Sequence, residues 1–382
     1  MNPNNTIKPG LAGVIAAQTR LSHVEGDVGR LTIAGFPLEE LADKATFEET
    51  VYLLWRDSLP NAQALTDFKQ ELQSYRTLPA ATLELLRQAA QAQVSVIDAL
   101  RMAASSLSLM APDHNPAGDP VRDARLVVAA FPPIVAAYWR LRHNEELIAP
   151  RADLDHAANF LFMLTGEVPS PEYVRGLETY LNTVVDHGFN ASTFTGRVIT
   201  STGSDMISTV VGALGALKGP LHGGAPGPAL DMVFDIGEAS KAEAYLRQKL
   251  DRGERLMGFG HRIYKVRDPR AEMLSQAAER FYHADGNMAL YTLAKQVEET
   301  ALKLLEEFKP GRNLSTNVEF YTALLLHGLG LPSELFTPTF AIGRVAGWTA
   351  HAFEQQREGR LIRPSADYIG EKDRRWQSLD ER

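Results

Sequence analysis

Residues 206–227 read MISTVVGALGALKGPLHGGAPG, and this stretch decides the fold class. Met206, Val210, Val211, Leu214 and Leu217 recur with the 3.6-residue period of one helix face. The period stops at Lys218. Four glycines and two prolines then surround a single histidine, His222. Glycine permits tight turns and close approach of backbone to a ligand, so a histidine held there is set to face a cleft. It could polarise a carbonyl or donate a proton; the plainer reading is an inter-helix loop.

Outward from this stretch the helical period continues. Leu293, Val297, Ala301, Leu304, Leu305 and Phe308 share a face. Thr46-Phe-Glu-Glu49 is a capping box, and Ser170-Pro171, Asp268-Pro269 and Thr337-Pro338 each pair a cap residue with proline at the first helical position. Strand signals are confined to residues 13–33, where short alternating pieces around Gly26 and Gly29 predict one or two small hairpins. The expected class is mainly α, with a few short N-terminal β-strands. The charged tail after Gly370 is expected to be exposed or laid on a partner.

The chain has 382 residues, enough for a large core, with 45% hydrophobic and 23% charged residues. A formal charge of −8 makes nucleic acid a poor partner, although a local arginine cluster can still hold small anions. With no cysteine, disulfides, thiolate metal sites and a catalytic thiol are absent. The N-terminus shows no signal or organelle address, so a cytoplasmic protein is expected. The most apolar run, Leu126–Trp139, is too short to span a bilayer and is interrupted by Pro132-Pro133, so no membrane partner is expected.

Chemistry concentrates in six segments. In DHGFNASTF (186–194), His187 follows an apolar helix, while Asn190 and Ser192 can cap the next one. The second segment is the loop around His222. In MGFGHRIYKVRDPR (257–270), a glycine turn precedes His261 and four cations. The third glycine of a dinucleotide fingerprint is missing there, which excludes a Rossmann reading. Arg270 falls in the first turn of a helix, against the dipole, which points to a ligand for it. In NVEFY (317–321), Glu319 is the sole acid between Glu307 and Glu334. A carboxylate in apolar surroundings has a raised pKa and suits a general base; a plain first-turn glutamate is the simpler role. In FAIGRVAGW (340–348), Arg344 sits in an apolar helix between Gly343 and Gly347 and needs an anionic partner. RPSADY (363–368) is basic and, taken alone, reads as an exposed loop. Scattered histidines give no metal pattern, and neither a phosphate loop nor a nucleophile elbow is present.

In this order the six segments resemble the citrate synthase family, and GLAGVIAAQTRLSHVEGDVGRLTIAGFPLEELA (10–42) looks like its N-terminal segment. The resemblance implies a helical homodimer. A large domain (1–223 plus 329–382) would carry the dimer contact and the oxaloacetate side, and a small domain (224–328) would carry the coenzyme A side and close over the cleft. It also implies condensation of acetyl-CoA with oxaloacetate and water to give citrate and CoA, with no permanently bound cofactor and no metal. His222 would hold the thioester carbonyl, Glu319 would remove the methyl proton, and His261 would polarise and protonate the ketone. His187, Arg270 and Arg344, with Asn190 beside them, would bind oxaloacetate. Arg363 would reach the neighbouring subunit's site. Gly258, Phe259, Gly260 and Lys265 would meet CoA.

Five positions depart from the family pattern. The usual N-V-D-F-Y-S-G is here N-V-E-F-Y-T-A, so the base is the longer Glu319, with Thr322 and Ala323 beside it. Ser365 and Ala34 stand where many members have arginine. A one-methyl difference in a pocket is worth only about 1–3 kcal/mol, so 2-methylcitrate synthesis from propionyl-CoA stays open. So do an impaired member with an assembly or sensing role and a citryl-CoA-cleaving one.

Overall fold

The computed structural model describes residues 7–110, 119–223, 226–261 and 263–382. Helices dominate it. The strands form one small antiparallel sheet of Ser22–Glu25, Arg30–Ile33 and Phe36–Pro37, in sequence order. Ser22 pairs with Ile33 and Glu25 with Arg30, so Leu31 and Ile33 point into the core while the tight turn faces outward. The hairpin of Ser22–Glu25 and Arg30–Ile33 lies within the expected stretch, whereas the third strand, Phe36–Pro37, falls beyond it.

Helix starts follow the sequence signals at most places. Thr46 accepts from the Glu49 backbone while the Glu49 side chain returns to Thr46, the reciprocal arrangement of a capping box. Asp268 accepts from the Arg270 backbone ahead of the helix Pro269–Asp285. The Thr337-Pro338 signal misleads. The helix runs Phe336–Glu358 and is entered through a 3-10 turn at Ser333–Leu335. Proline is tolerated in a first turn, where its missing N–H costs nothing. The Thr337 hydroxyl is then free to donate to the Gly223 carbonyl at 2.8 Å, tying the His222 loop to this helix.

Proline also fails to break the apolar run at 126–139. Pro120–Arg142 is one 23-residue helix through Pro132 and Pro133, long and apolar enough to cross a bilayer by length and composition alone. Yet 78% of its most apolar window is buried against other helices, so it is a core element of this fold. Packing on all sides outweighs the local cost of two prolines.

The helices Pro226–Ile236, Ala239–Asp251, Pro269–Asp285, Met288–Phe308 and Val318–Gly328 pack on one another, and Pro269–Asp285 also lies against Pro171–Val184. The expected domain boundary at Gly224 lies outside the described residues, as does Arg262 in the basic segment.

The helix Phe336–Glu358 passes very close to the end of Pro171–Val184. A Cβ at Gly343 would meet Val184 Cγ2 at 2.9 Å and Leu181 O at 3.0 Å, and one at Gly347 would meet Val185 O at 2.2 Å. Both positions need the absence of a side chain, because two backbones nearly touch there. That contact fixes where Arg344 and Trp348 stand.

Candidate active site

A cleft of about 890 Å³ opens where these helices meet the glycine turns. Its wall includes His187, Asn190, His222, Gly258, Phe259, Gly260, His261, Arg270, Glu319 and Arg344. Segments up to 157 residues apart in sequence (His187 to Arg344) are thus brought to one surface. Lys265 and Arg363 are not on that wall in this single chain. Lys265 is exposed, and its backbone donates to Gly26 O at 2.9 Å, beside the N-terminal hairpin. Arg363 is exposed just after Ile362, whose backbone donates to Ser201 Oγ.

The turn Gly258–Gly260 is stitched directly to the segment carrying Glu319. Phe259 forms an antiparallel bridge with Thr316. The Asn317 backbone donates to Gly258 O at 2.9 Å, the Gly260 backbone to Ser315 O at 2.7 Å, and Asn317 Nδ2 to Gly260 O at 2.9 Å. Gly258 has φ of +87°, and a Cβ there would press Phe320 at 2.9 Å, so the turn demands glycine. The consequence is a rigid link between His261 and Glu319.

His261 Nδ1 accepts two backbone N–H groups, Ile263 at 3.0 Å and Tyr264 at 3.1 Å. Backbone amides can only donate, so the ring proton resides on Nε2. The Arg270 guanidinium lies 3.2 Å from that same Nε2. Two donors therefore face each other, and an acceptor oxygen entering between them would satisfy both. Burial first, and then Arg270, hold His261 down to about 4, so the ring is neutral at pH 7.

Arg270 is forked onto Asp268, with Nε to Oδ1 at 3.0 Å and Nη2 to Oδ2 at 2.8 Å. This carboxylate answers the dipole conflict seen in the sequence. Burial alone would lower the guanidinium's pKa, but Asp268 holds it above the ordinary value. Arg270 Nη1 has no hydrogen-bond partner among the described residues.

Arg344 is buried, and its Nε donates to Val184 O, one of the carbonyls left open at the end of that helix. Its guanidinium lies 4.7 Å from the centre of the Phe340 ring. The two terminal nitrogens find no hydrogen-bond partner among the described residues. Burial above all, opposed by Asp186 and reinforced by Arg270, lowers its pKa to about 10. Two buried, incompletely paired guanidiniums on one wall have the chemistry to receive an anion with two carboxylates.

His187 Nε2 meets Tyr264 Oη at 3.1 Å, and its ring lies 5.8 Å from that of His261. Burial, then Arg270 and Arg344, keep it neutral. His222 is half-buried, and its Nε2 lies 2.7 Å from Ser192 Oγ and 3.4 Å from the Ser192 backbone N–H. Burial, then Arg344 and Arg270, lower it to about 4. Glu319 is half-buried, with its carboxylate free of hydrogen bonds among the described residues. Burial raises its pKa against the opposing pull of Arg270 and Arg255, as the sequence suggested for a base.

Several supporting residues were not visible as such. Asn190 caps its helix as expected, accepting from Thr193 N, but Ser192 serves His222 instead of capping. Asp268 read as a helix cap and proves also to fork Arg270, while Asn317, which carried no signal of its own, caps the helix of Glu319 and braces the Gly258 turn. Arg255 on the cleft wall carried no signal. Asp186 accepts from His351 Nε2 at 3.1 Å and from Ser22 Oγ at 2.6 Å, and Ser22 Oγ in turn accepts from the Gly188 backbone at 2.7 Å, which anchors the turn holding His187. Among the described residues, no group of three or more His, Asp or Glu side chains converges as a metal site.

The sequence profile described as citrate synthase, C-terminal domain, matches residues 10–365. The chain belongs to the citrate synthase family. It is 40% identical to the citrate synthase of Haloferax volcanii over 98% of this chain and 99% of that one. It is 39% identical to the 2-methylcitrate synthase of Shewanella oneidensis over 94% of each chain. Its fold matches the citrate synthase of Thermoplasma acidophilum, solved as a ternary complex with carboxymethyl coenzyme A and oxaloacetate, at a TM-score of 0.89, with 30% identity and 99% and 100% of the two chains covered. This chain is thus an enzyme of the citrate synthase family, and five of the six segments that carried the resemblance line one cleft. Of its departures from the family pattern, Glu319 and Thr322 are on the cleft wall, whereas Ala34 and Ser365 are not.

Proposed function

We propose that this enzyme condenses acetyl-CoA with oxaloacetate and water to give citrate and CoA. The observation that carries this reading is the convergence of a carboxylate with raised pKa, two neutral histidines and two incompletely paired guanidiniums on one cleft wall. Arg270 and Arg344 would hold the two carboxylates of oxaloacetate, with His187 and Asn190 beside them. The ketone oxygen fits between the opposed donors His261 Nε2–H and Arg270. Glu319 takes a proton from the thioester methyl group while His222 donates to the thioester carbonyl. A weak carbon acid needs both, because neither a base nor an enolate stabiliser suffices alone. The carbanion carbon attacks the ketone carbon, and His261 protonates the alkoxide that forms. Water then hydrolyses citryl-CoA and releases CoA.

Binding at Gly258, Phe259, Gly260 and Lys265 is assigned to CoA. The domains are assigned as 1–223 with 329–382 and 224–328, the second closing over the first to exclude water during condensation. The enzyme is read as a cytoplasmic homodimer in which Arg363 enters the neighbouring site. The likeness to a 2-methylcitrate synthase supports propionyl-CoA as the second reading.

The experiment is thiol release with acetyl-CoA and propionyl-CoA, each with and without oxaloacetate. Release with acetyl-CoA that requires oxaloacetate is expected. A kcat/KM favouring propionyl-CoA would shift the assignment to 2-methylcitrate, and no release with either would defeat the catalytic reading. Mixing Arg363→Leu and Glu319→Gln subunits tests the shared site: exchange should regenerate turnover absent from either alone.

A further inference from the structure

We infer that Trp348 is a positioning residue for His222, acting through the hydroxyl of Ser192. The inference rests on the thioester-enolising reading of the cleft. The indole Nε1 donates to Ser192 Oγ at 3.1 Å, and Ser192 Oγ lies 2.7 Å from His222 Nε2. Trp348 is almost wholly buried, four residues beyond Arg344 on the same helix. One helix thus presents both an anion-binding guanidinium and this indole.

Donor accounting gives the arrangement its meaning. The indole N–H can only donate, and so can the Ser192 backbone N–H, which points at His222 Nε2 from 3.4 Å. Nε2 is therefore the acceptor and the ring proton sits on Nδ1. The single Ser192 hydroxyl proton has two acceptors within reach, Asn190 Oδ1 at 2.8 Å and His222 Nε2 at 2.7 Å. Donation from Trp348 occupies a lone pair of the hydroxyl oxygen. It leaves the proton to these two acceptors and strengthens the hydroxyl as a donor, because chained hydrogen bonds polarise one another. Asn190 Oδ1 is already engaged by the Thr193 backbone at 3.1 Å, which favours His222. The indole thereby keeps His222 as the tautomer that can donate to a thioester carbonyl. Gly347 beside it, pressed on Val185 O, holds the helix in place and so sets the indole's position.

The test is Trp348→Phe, which keeps an aromatic ring and removes the N–H, in the full-length enzyme. We expect kcat to fall roughly tenfold, the loss of one chained hydrogen bond. Oxaloacetate KM should change by less than about twofold, since the guanidiniums are untouched, and exchange of thioester methyl protons with solvent should fall in parallel with kcat. In a Ser192→Ala background the same substitution should cost less than about twofold. An unchanged kcat, an equal loss in both backgrounds, or a rise in oxaloacetate KM alone would each overturn the inference. Should Trp348→Phe not fold, 15N NMR of histidine-labelled parent enzyme, with His222→Gln identifying the signal, reads the tautomer directly. A proton on Nδ1 supports the inference, and one on Nε2 overturns it. A parent enzyme with no thioester turnover would fail the catalytic reading, yet the tautomer could still be read.

Discussion

Gly347→Ala should cost this enzyme both stability and rate, and the structure sets the scale. The added Cβ would lie 2.2 Å from Val185 O and 3.1 Å from Asp186 Oδ1. Real Cβ atoms essentially never come within 3.0 Å of such atoms, so the helix Phe336–Glu358 must back away by about 0.8 Å. Neither partner can yield cheaply. Val185 O is backbone, and Asp186 is fixed by His351 and Ser22. Overpacking of this kind costs about 1–3 kcal/mol. The rate should suffer more, because Arg344 and Trp348 ride on the same helix and Asp186 precedes His187. A displacement near 1 Å in such a site costs on the order of a hundredfold. Gly215→Ala is the control: it also lies within a helix, but nothing lies within 4 Å of its Cβ position, so it should stabilise by about 1 kcal/mol with unchanged rate. Calorimetric Tm and thiol-release kcat on the parent and both variants provide the readout. A Gly347→Ala enzyme with parental Tm and kcat would refute the argument that backbone contact positions the site.

Four further outcomes are expected. Glu319→Gln should lower kcat by about 10²–10⁴-fold and abolish thioester methyl exchange while leaving oxaloacetate binding by calorimetry intact, since the base is lost but the guanidiniums remain. In the parent, burial raises the pKa of Glu319, so kcat should fall as pH drops through a value above 4.5; an acid limb centred below 4.5 would contradict the raised carboxylate. Arg344→Leu should eliminate the Tm increase that oxaloacetate produces in the parent, and a persistent shift would show that the dicarboxylate sits elsewhere. His222 is held at about 4 when folded against an ordinary 6.5. The unfolded chain therefore binds the proton first, and stability from the neutral ring is lost as pH falls from about 6.5 towards about 4. Urea unfolding of the parent relative to His222→Gln should show that decline, level above pH 6.5; a flat difference throughout would count against the buried neutral ring.

The residues that the fold gathers on the cleft wall were legible because each breaks a local rule. His222 and His261 stand in glycine turns, Arg344 in an apolar helix and Glu319 at the head of an apolar run. Such conflicts are local, so sequence carries them. The helices and the N-terminal hairpin were legible for the same reason, since period, caps and turn residues act within a few positions. Local rules misled where packing outweighed them, as at Pro132-Pro133 and at Thr337-Pro338. What tertiary structure alone decided is partnership. Asp268 read as a cap, yet it forks Arg270; Asn317 stood out for nothing, yet it ties the Gly258 turn to the segment of Glu319. Ser192 also read as a cap, but it binds His222 because Trp348 arrives from 156 residues away. Gly347 shows the reason: its lack of a side chain is written in the sequence, but the backbone it must touch is set only when two helices pack.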